Sequence, residues 1–292
     1  MNLMVKVAFF IFLSINSLPT MAQQNQAIPA NFQTENLIAW CVVPFDATKR
    51  GPQERARMLD SLGLRHLAYD WREEHVASWD AEVAALKDHS IELSAFWCTS
   101  SLEPVKENQR ILSLLKKHQL RKTDLWIMLP EWELAKIQDE KKRLKTAVQI
   151  IDSLAAAAQE IGCNVGVYNH GGWSGKPSTL LSIMQSCKQK NVGVIYNLHH
   201  AHEDLEDFAL VVNELRPYLL CLNLNGTTVG GPKIQPIGSG AEDSKLISLI
   251  LDSKYAGPVG ILDHINEQDA KLSLEANLNG LKELLSAVSA SP

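Results

Sequence analysis

Five of the nine histidines fall where strands are expected to run out into loops: His170 in YNHGG, His199, His200 and His202 in YNLHHAHED, and His264 in ILDHINE. Imidazoles gathered at the same ends of successive parallel strands converge on one point in space, which is how a barrel builds a metal or acid–base site. Two carboxylates share that placement, Glu131 in LPEWE and Asp263 at the close of the last apolar run. His170, His200, His202 and Asp263, with Glu131, make a set of nitrogen and oxygen ligands for a borderline divalent ion such as Mn²⁺, Co²⁺ or Zn²⁺. His170, His200, Glu131 and Lys233, the last in the loop GGPKIQPIGSG, are also candidates for proton transfer and charge stabilisation. Taken singly, an imidazole at a loop entrance is as well explained by a hydrogen bond to a backbone carbonyl; their convergence is what favours chemistry. Asp70, Asn197, Asn225 and His264 stand at other strand ends and are expected to orient a ligand's polar groups. Trp71, Trp97 and Trp173 are expected to present aromatic faces to the apolar faces of a sugar ring, whereas Trp40 and Trp126 read as packing.

Something must bring these groups together, and short apolar runs alternate with amphipathic segments from Leu37 onward. Strands are expected at 37–44, 65–70, 91–98, 124–130, 163–169, 191–197, 219–225 and 258–263. Several are apolar at every position, as when helices cover one face and a barrel interior the other. Helical spacing runs through 51–62, 79–89, 140–161 and 268–288; in the last, leucines 272, 274, 278, 281, 284 and 285 line one face. Eight β/α repeats argue for a closed (β/α)₈ TIM barrel of the α/β class. An open doubly wound sheet is the alternative, but no GxGxxG follows the first strand.

The N-terminus, MNLMVKVAFFIFLSINSLPTMAQQ, carries Lys6, an apolar run from Val7 to Leu13, and Thr20 and Ala22 before a cleavage point. It reads as a secretory signal peptide over residues 1–22, leaving 23–292 as a single exported domain. No later stretch approaches the roughly 20 apolar residues of a membrane-spanning helix. Without Lys6 the mature chain has 27 basic and 33 acidic residues, a net −6. That surface repels polyanions, so nucleic acid is not an expected partner. The five cysteines, an odd number without CxxC or zinc-knuckle spacing, read mainly as buried thiols.

In LIAWCVVPFDATKRGP, HLAYDWREEH, VYNHGGWSG, VIYNLHHAHED, LNLNG with GPKIQPIGSG, and GILDH, the chain resembles the xylose isomerase-like TIM barrels of the sugar phosphate isomerase/epimerase superfamily. The likeness covers essentially the whole mature length and is strongest to exported bacterial members. It implies an open site with one divalent metal, held after strands five to eight by Glu, Asp, His and Glu. The corresponding positions here are Asn169 or His170, Asn197, Asn223 or Asn225, and Asp263. Either the metal sits on the histidines, or imidazoles act as acid and base without it. Barrels of this kind isomerise or epimerise ketoses, dehydrate inososes, or eliminate from 3-keto-glycosides. The shared step removes a proton α to a carbonyl while the enolate oxygen is stabilised. Export favours a free keto-sugar or keto-glycoside over a sugar phosphate. A carbohydrate-binding barrel without turnover is the reading from another class, and the acidic balance disfavours an endonuclease of the same fold.

Overall fold

A computed structural model describes residues 28–265 and 267–290; the expected leader lies outside the described residues. Eight parallel strands follow one another around a closed barrel: β1 (Leu37–Trp40), β2 (His66–Tyr69), β3 (Glu92–Thr99), β4 (Asp124–Met128), β5 (Val165–Tyr168), β6 (Val192–Asn197), β7 (Leu219–Leu224) and β8 (Val259–Leu262). The seam closes where β8 pairs with β1, from Leu37 opposite Val259 to Trp40 opposite Leu262. All eight expected strands are present. Around them lie α1 (Pro52–Ser61), α2 (Trp79–Asp88), α3 (Lys106–Lys117), the short α4 (Glu131–Leu134), α5 (Glu140–Gln159), the short α6 (Gly172–Gly175), α7 (Pro177–Ser186), α8 (Phe208–Leu215), α9 (Asp243–Asp252) and α10 (Ala270–Ala290). Among the described residues no helix is long and apolar enough to cross a membrane.

Strand periodicity divides the core into two shells. Leu37, Ala39, Leu125, Ile127, Val165, Val167, Val259 and Ile261 face outward onto the helices. Ile38, Trp40, Ala68, Ala95, Trp126, Tyr168, Ile195 and Cys221 fill the interior. Large and small side chains must alternate inside so narrow a cylinder. At Gly166 a Cβ would stand 2.5 Å from the Ile195 side chain, so glycine there leaves room for isoleucine on the next strand.

The first strand ends four residues earlier than its apolar run suggests. Cys41 adopts a left-handed φ of 58°, which breaks the extended chain. Two residues on, the Val43 N–H donates to Asp70 Oδ1 at 3.2 Å, drawing the loop across the end of β2. Arg50 then bridges Asp46 (2.8 Å) and Asp269 (2.8 Å), tying this loop to the start of α10 across the seam. All five cysteines are free thiols, four of them buried.

Candidate active site

The C-terminal mouth of the barrel is paved with aromatic rings. Trp40 lies 4.7 Å from Trp126 and 5.6 Å from Trp97, and Tyr168 stands edge-on to Trp97 at 5.0 Å. Above this floor is a cavity of about 440 Å³, lined by Trp40, Trp71, Trp97, Asp70, Arg72, Tyr168 and four histidines among others. Its volume is in the range of small-molecule sites. Trp71 is fixed by its Nε1–H donating to the Trp97 carbonyl at 2.8 Å, so the two expected sugar platforms form one wall.

The histidines arrive from three strand ends. His170 follows β5, His264 follows β8, and His199 and His200 lie on a 3₁₀ turn (Leu198–His200) directly after β6. Asn197 makes that turn: its Oδ1 accepts the His199 N–H at 2.9 Å, the usual capping contact of an asparagine. The imidazoles cluster, with ring centroids 4.6 Å apart for His170 and His200, 4.3 Å for His199 and His200, and 5.3 Å for His199 and His264. Burial, with the mutual repulsion of the rings, pushes His200 down to about 2 and His264 to about 4, and lowers His170 and His199 as well. At neutral pH the cluster is therefore a set of uncharged imidazoles, each with one N–H to donate and one nitrogen to accept. His199 Nδ1 lies 3.3 Å from the Lys233 carbonyl, which can only accept, so the proton of this ring is on Nδ1.

Tyr168 is held by a chain of hydrogen bonds whose direction is fixed. The Asn197 oxygen is occupied by His199, so the nitrogen of the amide faces Tyr168 and Nδ2–H donates to the phenolic oxygen. Trp40 Nε1–H donates to the same oxygen at 3.1 Å. With two donors on its oxygen, Tyr168 keeps its own hydrogen free for an acceptor in the cavity. Burial pushes this phenol well above its ordinary value, so it remains a neutral donor.

Two buried carboxyls flank the end of β1. Asp70, 3% exposed, lines the cavity; Oδ1 accepts the Val43 N–H and Oδ2 has no partner among the described residues. Burial raises it to about 7, against weaker opposing pulls from the Val43 N–H and Arg72. Asp263 is fully buried behind the lining, with both oxygens unpartnered. It too is raised to about 7 by burial; the nearby Ser273 hydroxyl offsets part of that without reaching hydrogen-bond geometry.

Several expected site residues stand elsewhere. Glu131 is outside the cavity lining: it accepts the N–H groups of Trp173 (2.8 Å) and Ser174 (2.9 Å) and the Ser174 hydroxyl (2.6 Å). Its carboxylate holds the segment after His170, and a Cβ on Gly172 would collide with it at 2.6 Å. Trp173 turns away onto α5, donating to Glu140 at 2.5 Å beneath the Arg143 guanidinium, so it is no platform in the cavity. Asn225 is buried behind the wall, its amide donating to the carbonyls of Gly226 and Lys233. Lys233 itself is exposed at the rim, near enough to His199 and His200 to help keep them uncharged. His202 lies beside His199 but outside the lining, with Nε2 buried and unpartnered.

The expected metal set does not assemble. His170 and His200 meet, but among the described residues no three His, Cys, Asp or Glu side chains converge to hold an ion. His202 and Asp263 do not join them in a three-ligand group.

Sequence reasoning passed over Tyr168, Arg72, Phe45 and Cys41 among other residues of the cavity wall, and Trp40, expected as packing, lines it too. Tyr168 sits in an apolar strand and reads as core. Arg72 sits in DWREEH, where a charged run reads as a solvated loop.

The sequence matches no family model and no curated protein. Solved structures do match. An IolI protein with a bound zinc atom superposes with a TM-score of 0.67 at 13% identity, over 88% of this chain and 100% of that one. The 3-keto-D-glucoside 4-epimerase YcjR of E. coli gives 0.63 at 14% identity, over 86% and 99%. A xylose isomerase-like TIM barrel protein from Mycobacterium smegmatis in complex with magnesium gives 0.58 at 14% identity, over 90% and 100%. At such identities the likeness is one of fold, a closed (β/α)₈ TIM barrel shared with proteins described as xylose isomerase-like.

Proposed function

We propose that this xylose isomerase-like barrel is a sugar-active enzyme that removes a proton α to a carbonyl, acting as an isomerase, epimerase or lyase on keto-sugars such as 3-keto-glycosides. One observation carries the reading. A single cavity holds a carboxyl with an unbonded oxygen, Asp70, and a phenol, Tyr168, whose one unused group is a hydrogen to donate. A base near pH 7 and a preorganised donor are what enolisation needs.

In the proposed step, Asp70 Oδ2 takes the α-proton and the C–H electron pair moves onto the carbonyl, whose oxygen gains negative charge. Tyr168 O–H and a neutral imidazole N–H, from His200 or His170, donate to that oxygen. A neutral imidazole suits this role because it donates without first losing stability to a charged state. In an isomerisation the hydroxyl proton of the former α-carbon passes to the enolate oxygen, protonated Asp70 returns its hydrogen to the former carbonyl carbon, and the oxygen on the α-carbon becomes the new carbonyl. In an elimination the enolate expels the β-oxygen substituent, which takes up the proton from Asp70. Trp71 and Trp97 would carry the apolar face of the ring. The match to a 3-keto-D-glucoside 4-epimerase supports a keto-sugar as the first substrate to try.

The test is proton exchange. In D₂O, the protein is expected to wash deuterium into the α-carbon of at least one member of a panel of ketoses and 3-keto-glycosides, followed by NMR. Absence of exchange across the panel contradicts the proposal and leaves a barrel that binds carbohydrate without turnover. Export through the leader at residues 1–22 belongs to the same reading, and is checked by whether the mature protein begins at Gln23.

A further inference from the structure

Two cations, Arg72 on the cavity wall and Lys233 on the loop after β7, make no ion pair among the described residues. Arg72 lines the cavity and is exposed; its guanidinium sits 5.4 Å over the Phe45 ring, which in turn packs edge-on against His264 at 3.9 Å. Its single hydrogen bond runs from Nη1 to the carbonyl of Trp71 at 2.7 Å, which leaves Nε and Nη2 unpartnered among the described residues. Lys233, exposed on the loop after β7, has no ion pair or side-chain hydrogen bond there either. Arg72 reaches the His264 side through Phe45, and the Lys233 backbone borders the His199 side, its carbonyl 3.3 Å from His199 Nδ1. Other arginines near this end of the barrel are used: Arg50 by Asp46 and Asp269, Arg55 by Glu82. Against the two free cations the lining sets one exposed acid, Glu73.

We infer that the sugar this cavity binds carries an anionic oxygen group, a carboxylate or a phosphate, received between Arg72 and Lys233 above the His199–His264 pair. A guanidinium held over an aromatic ring keeps its fork of N–H donors aimed outward, suited to two oxygens of one anion. Beneath them His264, whose Nδ1 has no partner among the described residues, can add an N–H donor, whereas the proton of His199 is used by the Lys233 carbonyl. The inference rests on reading the cavity as a sugar site, and extends it to the class of sugar.

The test uses binding rather than turnover, read from the fluorescence of the wall tryptophans. D-Glucuronate, D-glucose 6-phosphate and D-glucose are titrated separately into the wild-type protein, Arg72→Ala, Arg72→Lys and Lys233→Ala. At least one anionic probe is expected to bind about 10-fold or more tighter than glucose, and to weaken as salt is raised. Arg72→Ala should lose about 10-fold for that probe and clearly less for glucose, with Arg72→Lys and Lys233→Ala intermediate for the anionic probe. Preference for glucuronate identifies a carboxylate, and preference for glucose 6-phosphate a phosphate. Equal affinity for charged and neutral probes, or equal losses for both in Arg72→Ala, overturns the anion inference and leaves the sugar site standing. Failure of all three probes to bind overturns the anion inference, while the keto-sugar reading is decided separately by the exchange test.

Discussion

The side-chain amide of Asn197 faces Tyr168 with its nitrogen, because its oxygen already accepts the backbone N–H of His199 at 2.9 Å. The polarity of the whole hydrogen-bond chain follows, and Tyr168 is left as a donor with nothing to donate to among the described residues. Tyr168→Phe is expected to fold normally by circular dichroism and to lose about 10²–10³ in exchange rate, the usual consequence of removing one oxyanion donor. Asn197→Asp should lose a similar factor for a different reason. An aspartate has no N–H, so the Tyr168 hydrogen would turn toward the new carboxylate.

Asp70 as base predicts the pH profile. Because burial raises it to about 7, kcat/KM should climb with pH and level off above about 7. Asp70→Asn should abolish both the activity and that limb.

The same burial has a cost for the fold. A carboxyl whose folded value lies above its unfolded value of 3.8 binds its proton more tightly in the native state between about pH 4 and 7. Stability therefore falls as pH rises through that window and stays low above it. Asp70→Asn and Asp263→Asn should each be more stable than the wild type at pH 8, by up to about 4 kcal/mol, with the advantage disappearing below pH 4. Denaturant titrations at pH 4, 6 and 8 measure this directly.

The imidazole cluster should titrate late. His200 and His264 lie at about 2 and about 4, so ring NMR signals of both should show neutral tautomers down to pH 5. Signals moving near pH 6.5 would show that the cluster is more hydrated than its burial implies.

Glu131 offers a contrast between holding a site and performing its chemistry. Glu131→Gln keeps one acceptor for the N–H groups of Trp173 and Ser174, whereas Glu131→Ala removes both. Alanine should cost about 2–4 kcal/mol of stability, on the scale of hydrogen bonds to a charged group. Its activity loss should track the displacement of His170 and be partly restored in the glutamine variant.

The barrel was legible because runs such as Val165–Tyr168 and Val259–Leu262 are apolar on both faces, a pattern that closed parallel strands require. The convergence of His170, His199, His200 and His264 was legible too, since each follows a strand at the same end. What one sequence does not display is the direction in which a side chain is used. Glu131 and Asp70 are both carboxylates just beyond strands, yet the partners of Glu131 are backbone groups 42 and 43 residues away. Trp173 was drawn off by Glu140 and Arg143 on a neighbouring helix, and Tyr168 was hidden by its apolar neighbours. The early end of β1 depends on the backbone angle of Cys41, which its residue type does not announce.

Enolisation by Asp70 is the central claim, and NMR of a 3-keto-glycoside incubated in D₂O at pH 7.5 tests it most directly. The account predicts deuterium at the carbon next to the carbonyl with the wild-type protein, and exchange no faster than buffer with Asp70→Asn, although that variant still binds the sugar. Exchange at the wild-type rate in Asp70→Asn would contradict it.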